Sequence, residues 1–138
     1  MNIKKISAAV IAMSAWVGVA HADPNTCPAV ASITQAAGEY GGYVYSAPAQ
    51  NGQHWVGENP MAHEDDLKHV AFVEAYIHNN KNFVACDYSG ARAPGMRMAL
   101  KINSPASPIG AVWANETQTD GTVLPRCAAA NPTDCKFE

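Results

Sequence analysis

Met96-Arg97-Met98-Ala99-Leu100-Lys101-Ile102-Asn103 sets a large apolar side chain at every second position, with a charged, small or polar one between. That is the period of a strand buried on one face, and it is the clearest strand signal in the chain. Immediately upstream, Val70 to His78 and Phe83 to Tyr88 are rich in β-formers and are joined by Asn79-Asn80-Lys81-Asn82, which predicts a hairpin. A further hairpin is predicted from the β-branched and aromatic run that begins at Tyr43-Val44-Tyr45 and ends near Pro48, the turn dipeptide Asn51-Gly52, and a return strand through Gln53 to Gly57. The alternation puts Trp55 on one face of that return strand and His54 and Val56 on the other. Between the hairpins, Asn59 to Lys68 is polar and acidic and reads as a surface loop or one helical turn separating two halves.

The ends of the chain are less regular. Thr26 as N-cap, Pro28 in an early position and Gly38 as a stop predict a short helix over Pro28 to Gln35, with Val30, Ile33 and Ala37 on one face. Ser104-Pro105-Ala106-Ser107-Pro108 can only connect, Ile109 to Ala114 reads as a last strand, and the tail from Asn115 to Glu138 reads as irregular. Hairpin following hairpin without a long crossover gives an α+β, mainly β fold: an antiparallel sheet of about five to six strands with a short N-terminal helix. The alternative is an all-β sandwich or small barrel.

The N-terminus carries an address. Lys4 and Lys5 precede the apolar run from Ile6 to Ala20, and Ala20-His21-Ala22 follows. A charged start, an apolar middle and small residues before the cut define a secretory signal peptide, with cleavage expected between Ala22 and Asp23. The run is short of the roughly 20 residues that a membrane-spanning helix needs. Residues 1–22 are therefore expected to be a removable leader and residues 23–138 a single secreted domain, periplasmic or extracellular, with no membrane insertion after cleavage. Nine Lys and Arg face 12 Asp and Glu, for a formal charge of -3 without a basic cluster, which excludes a nucleic-acid partner on electrostatic grounds.

All four cysteines, Cys27, Cys86, Cys127 and Cys135, fall after the leader, and an even count in an oxidising compartment predicts two disulfides. No two of them have CxxC spacing, which argues against a zinc knuckle or a thiol oxidoreductase. Three pairings are open. The turn-prone Asn131-Pro132 favours Cys127 with Cys135, which leaves Cys27 for Cys86.

Other chemistry is weakly supported. His63-Glu64-Asp65-Asp66-Leu67-Lys68-His69 gathers two imidazoles and three carboxylates, but the histidine spacing is not the i, i+4 of HExxH, and a solvated loop is the simpler reading. The same adjacent carboxylates lack the separated environments of a glycosidase pair. Ser89, a histidine and Asp87 do not form a nucleophile elbow. The aromatics Tyr40, Tyr43, Tyr45, Trp55, Tyr76, Tyr88 and Trp113 are expected to be core. No catalytic residue, metal ligand or cofactor is assigned.

The series Cys27-Pro28, Ile33, Tyr43-x-Tyr45-x-Ala47, Trp55-x-Gly57, Phe72-x-x-Ala75, Cys86-x-Tyr88 and Cys135-x-Phe137 resembles a domain-of-unknown-function family of small secreted bacterial proteins. The resemblance implies an exported domain and transfers no catalytic residue. Separately, Ser89-Gly90-Ala91-Arg92 is similar to the SGxxY loop with which periplasmic lysozyme inhibitors plug a lysozyme cleft, although Ala93 stands where the tyrosine is expected and the lysine-containing TKG loop is absent. Ser89, Gly90 and Arg92 are the residues of this candidate partner loop. The expected function is that of a non-enzymatic exported binding or accessory domain whose partner is an envelope or extracellular protein. The alternatives are an inhibitor or immunity protein against a cell-wall enzyme such as lysozyme, and a small metal-binding protein.

Overall fold

Residue 18 and residues 22–138 are described by the computed structural model; the expected leader, apart from residues 18 and 22, lies outside the described residues. The alternating segment around Met98 forms β7, Ala93–Lys101, near the middle of an eight-stranded antiparallel sheet. The other strands of this sheet are β2 (Thr34–Ala37), β3 (Tyr43–Pro48), β4 (His54–Asn59), β5 (Ala71–His78), β6 (Phe83–Gly90), β9 (Trp113–Thr117) and β10 (Val123–Cys127). Their spatial order is β2-β3-β4-β7-β6-β5-β10-β9. A three-stranded sheet, β1-β11-β8, is made from β1 (Asn25–Thr26), β8 (Pro108–Ile109) and β11 (Lys136–Phe137). Among the described residues the edge strands β2 and β9 do not pair, so the sheet is open and not a barrel. No helix among them is long and apolar enough to cross a membrane.

Both expected hairpins are present. β3 and β4 pair with Pro48 opposite His54, and the five-residue connection places Asn51 at φ 59° and Gly52 at φ 72°. β5 and β6 pair around a turn ending in Asn82 at φ 60°; asparagine tolerates this left-handed region better than most residues. The halves separated by the Asn59–Lys68 loop are joined in the sheet, because β4 bridges to β7 through Val56 and Ala99. Gly57 allows this approach: a Cβ there would lie 2.3 Å from the Arg97 carbonyl oxygen.

One face of the large sheet is the core. Met96, Met98 and Leu100 of β7, Val84, Cys86 and Tyr88 of β6, and Trp55 of β4 are buried on it. The small sheet covers this face. Phe137 of β11 meets Trp55 edge to face, with ring centroids 6.1 Å apart, and the Cys27–Cys86 disulfide ties the segment after β1 to β6. The Tyr88 hydroxyl donates to the Pro28 carbonyl, which pins the same segment again. Cys127 bonds Cys135, so both disulfides have the favoured pairing and all four half-cystines are fully buried.

Three expectations at the chain ends are corrected. The helix over Pro28 to Gln35 is a single 3-10 turn, Val30–Ser32, followed by β2. So short a segment cannot nucleate a helix alone, the disulfide and Tyr88 hold its start extended, and the open edge of β3 offers Thr34–Ala37 a ladder of hydrogen bonds. Ile109 to Ala114 is not one strand, because Gly110 at φ 91° ends β8 and the chain turns before β9. The tail is not irregular: it supplies most of β9 and all of β10 and β11. Pro125 hides β10 from a sequence reading. It is accommodated because pairing with β5 is confined to Arg126 and Cys127, so the missing N–H lies where that ladder has ended. Among the described residues the fold is thus all-β, with more strands than expected and without the short helix expected over Pro28 to Gln35.

Candidate functional site

The face of the large sheet turned away from the core divides into two unlike regions. Across β7, β6, β5, β10 and β9, the register gathers charged side chains of both signs on this face. Arg97 donates from Nε and Nη2 to the two carboxylate oxygens of Asp87, at 2.7 and 2.8 Å. Arg126 Nε lies 2.7 Å from Glu74 Oε2 and 3.2 Å from Glu116 Oε2. The Tyr76 hydroxyl donates to Glu116 Oε1 at 2.9 Å. Burial, reinforced by that bond to Glu116, pushes the Tyr76 phenol up to about 12. The hydrogen bond to Asp87 holds the Arg97 guanidinium above its usual value. The carboxylates of this half are all engaged by arginines.

At the end of the row, the His78 ring stacks on Phe83 with centroids 4.4 Å apart. Its Nε2 is buried without a hydrogen-bond partner among the described residues. Burial first, and then the positive charges of Arg97 and Lys81, lower its affinity for a proton.

The other half, on β2, β3, β4 and β7, is a shallow trough of about 720 Å³. Its floor is Val44, Val56 and Ala99, flanked by Thr34, Ala36 and Ser46, with Glu58 and Arg97 at one end. Val56 is 57% exposed, while its neighbour Trp55 is 1% exposed. The period of two that buries Trp55 necessarily turns Val56 outward, and only an apolar choice at the outward position makes this surface sticky. Around the edge of β2 lies a second groove of about 480 Å³, lined by Val30, Ile33, Gln35 and Leu67 among others. Gln35 crosses its end, donating from Nε2 to the Glu64 carbonyl at 2.7 Å, and its Oε1 is buried with no partner among the described residues.

The residues singled out from sequence lie elsewhere. Ser89 and Arg92 are exposed at the tight connection between β6 and β7, and Gly90 backs onto the chain at His69, where a Cβ would meet the carbonyl oxygen at 2.1 Å. Ala93 is buried, so the position expected to carry the inhibitor tyrosine does not face outward. His63 belongs to the turn closed by Asp66, whose carboxylate accepts from the His63 main-chain N–H at 2.7 Å. Among the described residues no three His, Cys, Asp or Glu side chains converge as a metal-binding group. Of the aromatics, Tyr45, Trp55 and Tyr88 are core, Tyr43, Tyr76 and Trp113 are half-buried, and Tyr40 is exposed.

Sequence reasoning missed the trough because its helix over Pro28 to Gln35 took in Thr34 and Gln35, the first half of β2. The available signal was Val44 between two tyrosines and Val56 after Trp55, strands apolar on both faces in a sheet needing only one.

A family model described as a protein of unknown function (DUF3757) matches residues 13–138. The chain belongs to that family, in agreement with the domain-of-unknown-function resemblance carried by its cysteine and aromatic spacing. Neither a curated protein nor a solved structure matches the chain.

Proposed function

We propose that this chain is an exported, disulfide-stapled binding domain whose partner is another protein of the cell envelope, docked on the trough formed by β2, β3, β4 and β7. The observation that carries the reading is the exposed Val44–Val56 floor of a concave sheet face whose other half is neutralised by its own ion pairs. Contiguous exposed apolar surface next to a polar rim is the usual mark of an interaction site. The leader-like N-terminus and the two disulfides support an oxidising compartment outside the cytosol. A non-enzymatic role is supported by the carboxylates of the charged row: Asp87, Glu74 and Glu116 are each engaged by an arginine.

The test is capture from envelope extract with the wild-type chain, Val56→Asp, and Val123→Asp as an exposed valine elsewhere. A protein retained by wild type and Val123→Asp but lost from Val56→Asp, with unchanged melting curves, is the expected outcome. Equal capture by all three removes the trough as the site. A second reading, inhibition of a cell-wall enzyme such as lysozyme, is favoured by the exposure of Ser89 and Arg92 at a turn braced by Gly90. It requires lysozyme inhibition that disappears in Ser89→Ala and Arg92→Ala.

A further inference from the structure

We propose that the partner enters as an extended polypeptide segment carrying basic side chains, and that it adds to the large sheet as a new edge strand along β2. The proposal rests on the trough being the binding surface and names what fills it. Gly38 donates its main-chain N–H to the Gly42 oxygen at 3.0 Å, which makes that pair a hydrogen-bonded one in the β2–β3 ladder. Antiparallel alternation then bonds Ala36 to Val44 and Thr34 to Ser46, and turns the N–H and C=O of Gln35 and Ala37 toward the open edge. Among the described residues no hydrogen bond reaches those four groups. β2, Thr-Gln-Ala-Ala, also lacks the charge, proline or bulge with which edge strands resist pairing.

What flanks this edge fits a strand. The trough lies on one side of β2 and the Val30, Ile33 and Leu67 groove on the other, and both share Thr34 and Gln35. An added strand points successive side chains to opposite faces, so alternate residues enter the two concavities. The buried, partnerless Oε1 of Gln35 supplies a further acceptor beside the same edge. Charge selects the occupant: the cations on these two linings, Arg97 and Lys68, are held by Asp87 and Asp65, while Glu58 at the trough and Glu64 at the groove have no ion-pair partner among the described residues. A second copy pairing through its own β2, Thr-Gln-Ala-Ala, would bring no basic side chain on the pairing strand.

The experiment titrates the isotope-labelled protein, residues 23–138, with the peptide acetyl-Lys-Val-Ser-Val-Lys-Val-amide and with its counterpart carrying Glu for Lys. The expected result is shifted signals and slowed hydrogen exchange at the Gln35 and Ala37 amides, with the basic peptide bound about tenfold more tightly than the acidic one. Ala37→Pro removes an outward N–H without touching the β2–β3 ladder and weakens binding about tenfold. Should that variant misfold, Glu58→Lys with Glu64→Lys reverses the peptide preference on an intact backbone. Basic-peptide shifts at Val44 and Val56 that leave Gln35 and Ala37 unchanged keep the trough as a site and overturn strand addition. No shift at any of these residues overturns both. A wild-type dimer that Ala37→Pro dissociates identifies the occupant as a second copy and overturns the peptide.

Discussion

Removing the Cys27–Cys86 disulfide is expected to cost far more stability than removing Cys127–Cys135, although both are equally inaccessible. The bonds join residues 59 and 8 positions apart. Constraining the unfolded chain over those loops stabilises the native state by about 4 and about 2.5 kcal/mol respectively in the chain-entropy model. All four cysteines are fully buried, so replacing either pair by alanine leaves similar small voids, and the difference between the double variants isolates the loop term. Equilibrium unfolding in urea measures it: Cys27→Ala/Cys86→Ala should lose more than Cys127→Ala/Cys135→Ala by about 1.5 kcal/mol, with the larger rise in m-value because its unfolded chain expands more. Against a domain stability of about 5–15 kcal/mol, the first loss brings the fold close to its limit. Equal losses, or a larger loss from the short loop, would refute the view that the bonds act chiefly as staples on the unfolded chain.

Trp55→Ala should cost about 3–5 kcal/mol in the same assay, since it empties the contact that seats Phe137 and the small sheet, whereas Val56→Thr one position along should stay within about 0.5 kcal/mol. His78 should make stability fall on acidification. Its folded proton affinity is below the ordinary 6.5, so the unfolded chain binds more protons in that range; the contribution is complete above about pH 6.5 and is lost as pH falls through the lower folded value. The slope of stability against pH below 6.5 should flatten in His78→Gln; an unchanged slope contradicts the burial of the neutral ring.

The central hairpin and the Met96 strand were legible because a single physical rule decides them. When one face of a strand is buried, the apolar period is two, and a slip by one residue would expose Met98 and Leu100 and bury Arg97. The disulfide pairing was legible from a turn between neighbouring cysteines. The ends were not, because their structure is imposed from a distance. Thr34–Ala37 is a strand by virtue of the β3 edge beside it, and β10 pairs in spite of Pro125 because its ladder to β5 stops short of that residue. The trough depended on the first of these misreadings: once Thr34–Ala37 is a strand, Val44 lies on a face shared with Ala36, and the surface is visible.

The two halves of the outer face separate stability from recognition. From β7 to β9 charges of both signs share the face, and each carboxylate that could repel its neighbour, Glu74 opposite Asp87 included, is held by an arginine. Such partly exposed pairs add little stability, about 0–1 kcal/mol each, but they keep that surface wet and poorly suited to apolar contact. From β2 to β4 the same outward positions carry Ala36, Val44 and Val56 among Thr34, Ser46 and Glu58, and these apolar side chains gain nothing from solvent. A sheet needing only solubility could continue the charged pattern to its edge. The change occurs at β4 and runs to β2, whose outward main-chain groups are unpaired, and whose neighbouring acids are without an ion-pair partner, among the described residues. Apolar floor, open edge and free negative charge therefore coincide on one side of the molecule. Of the partners considered, an extended segment with alternating apolar and basic side chains uses all three at once.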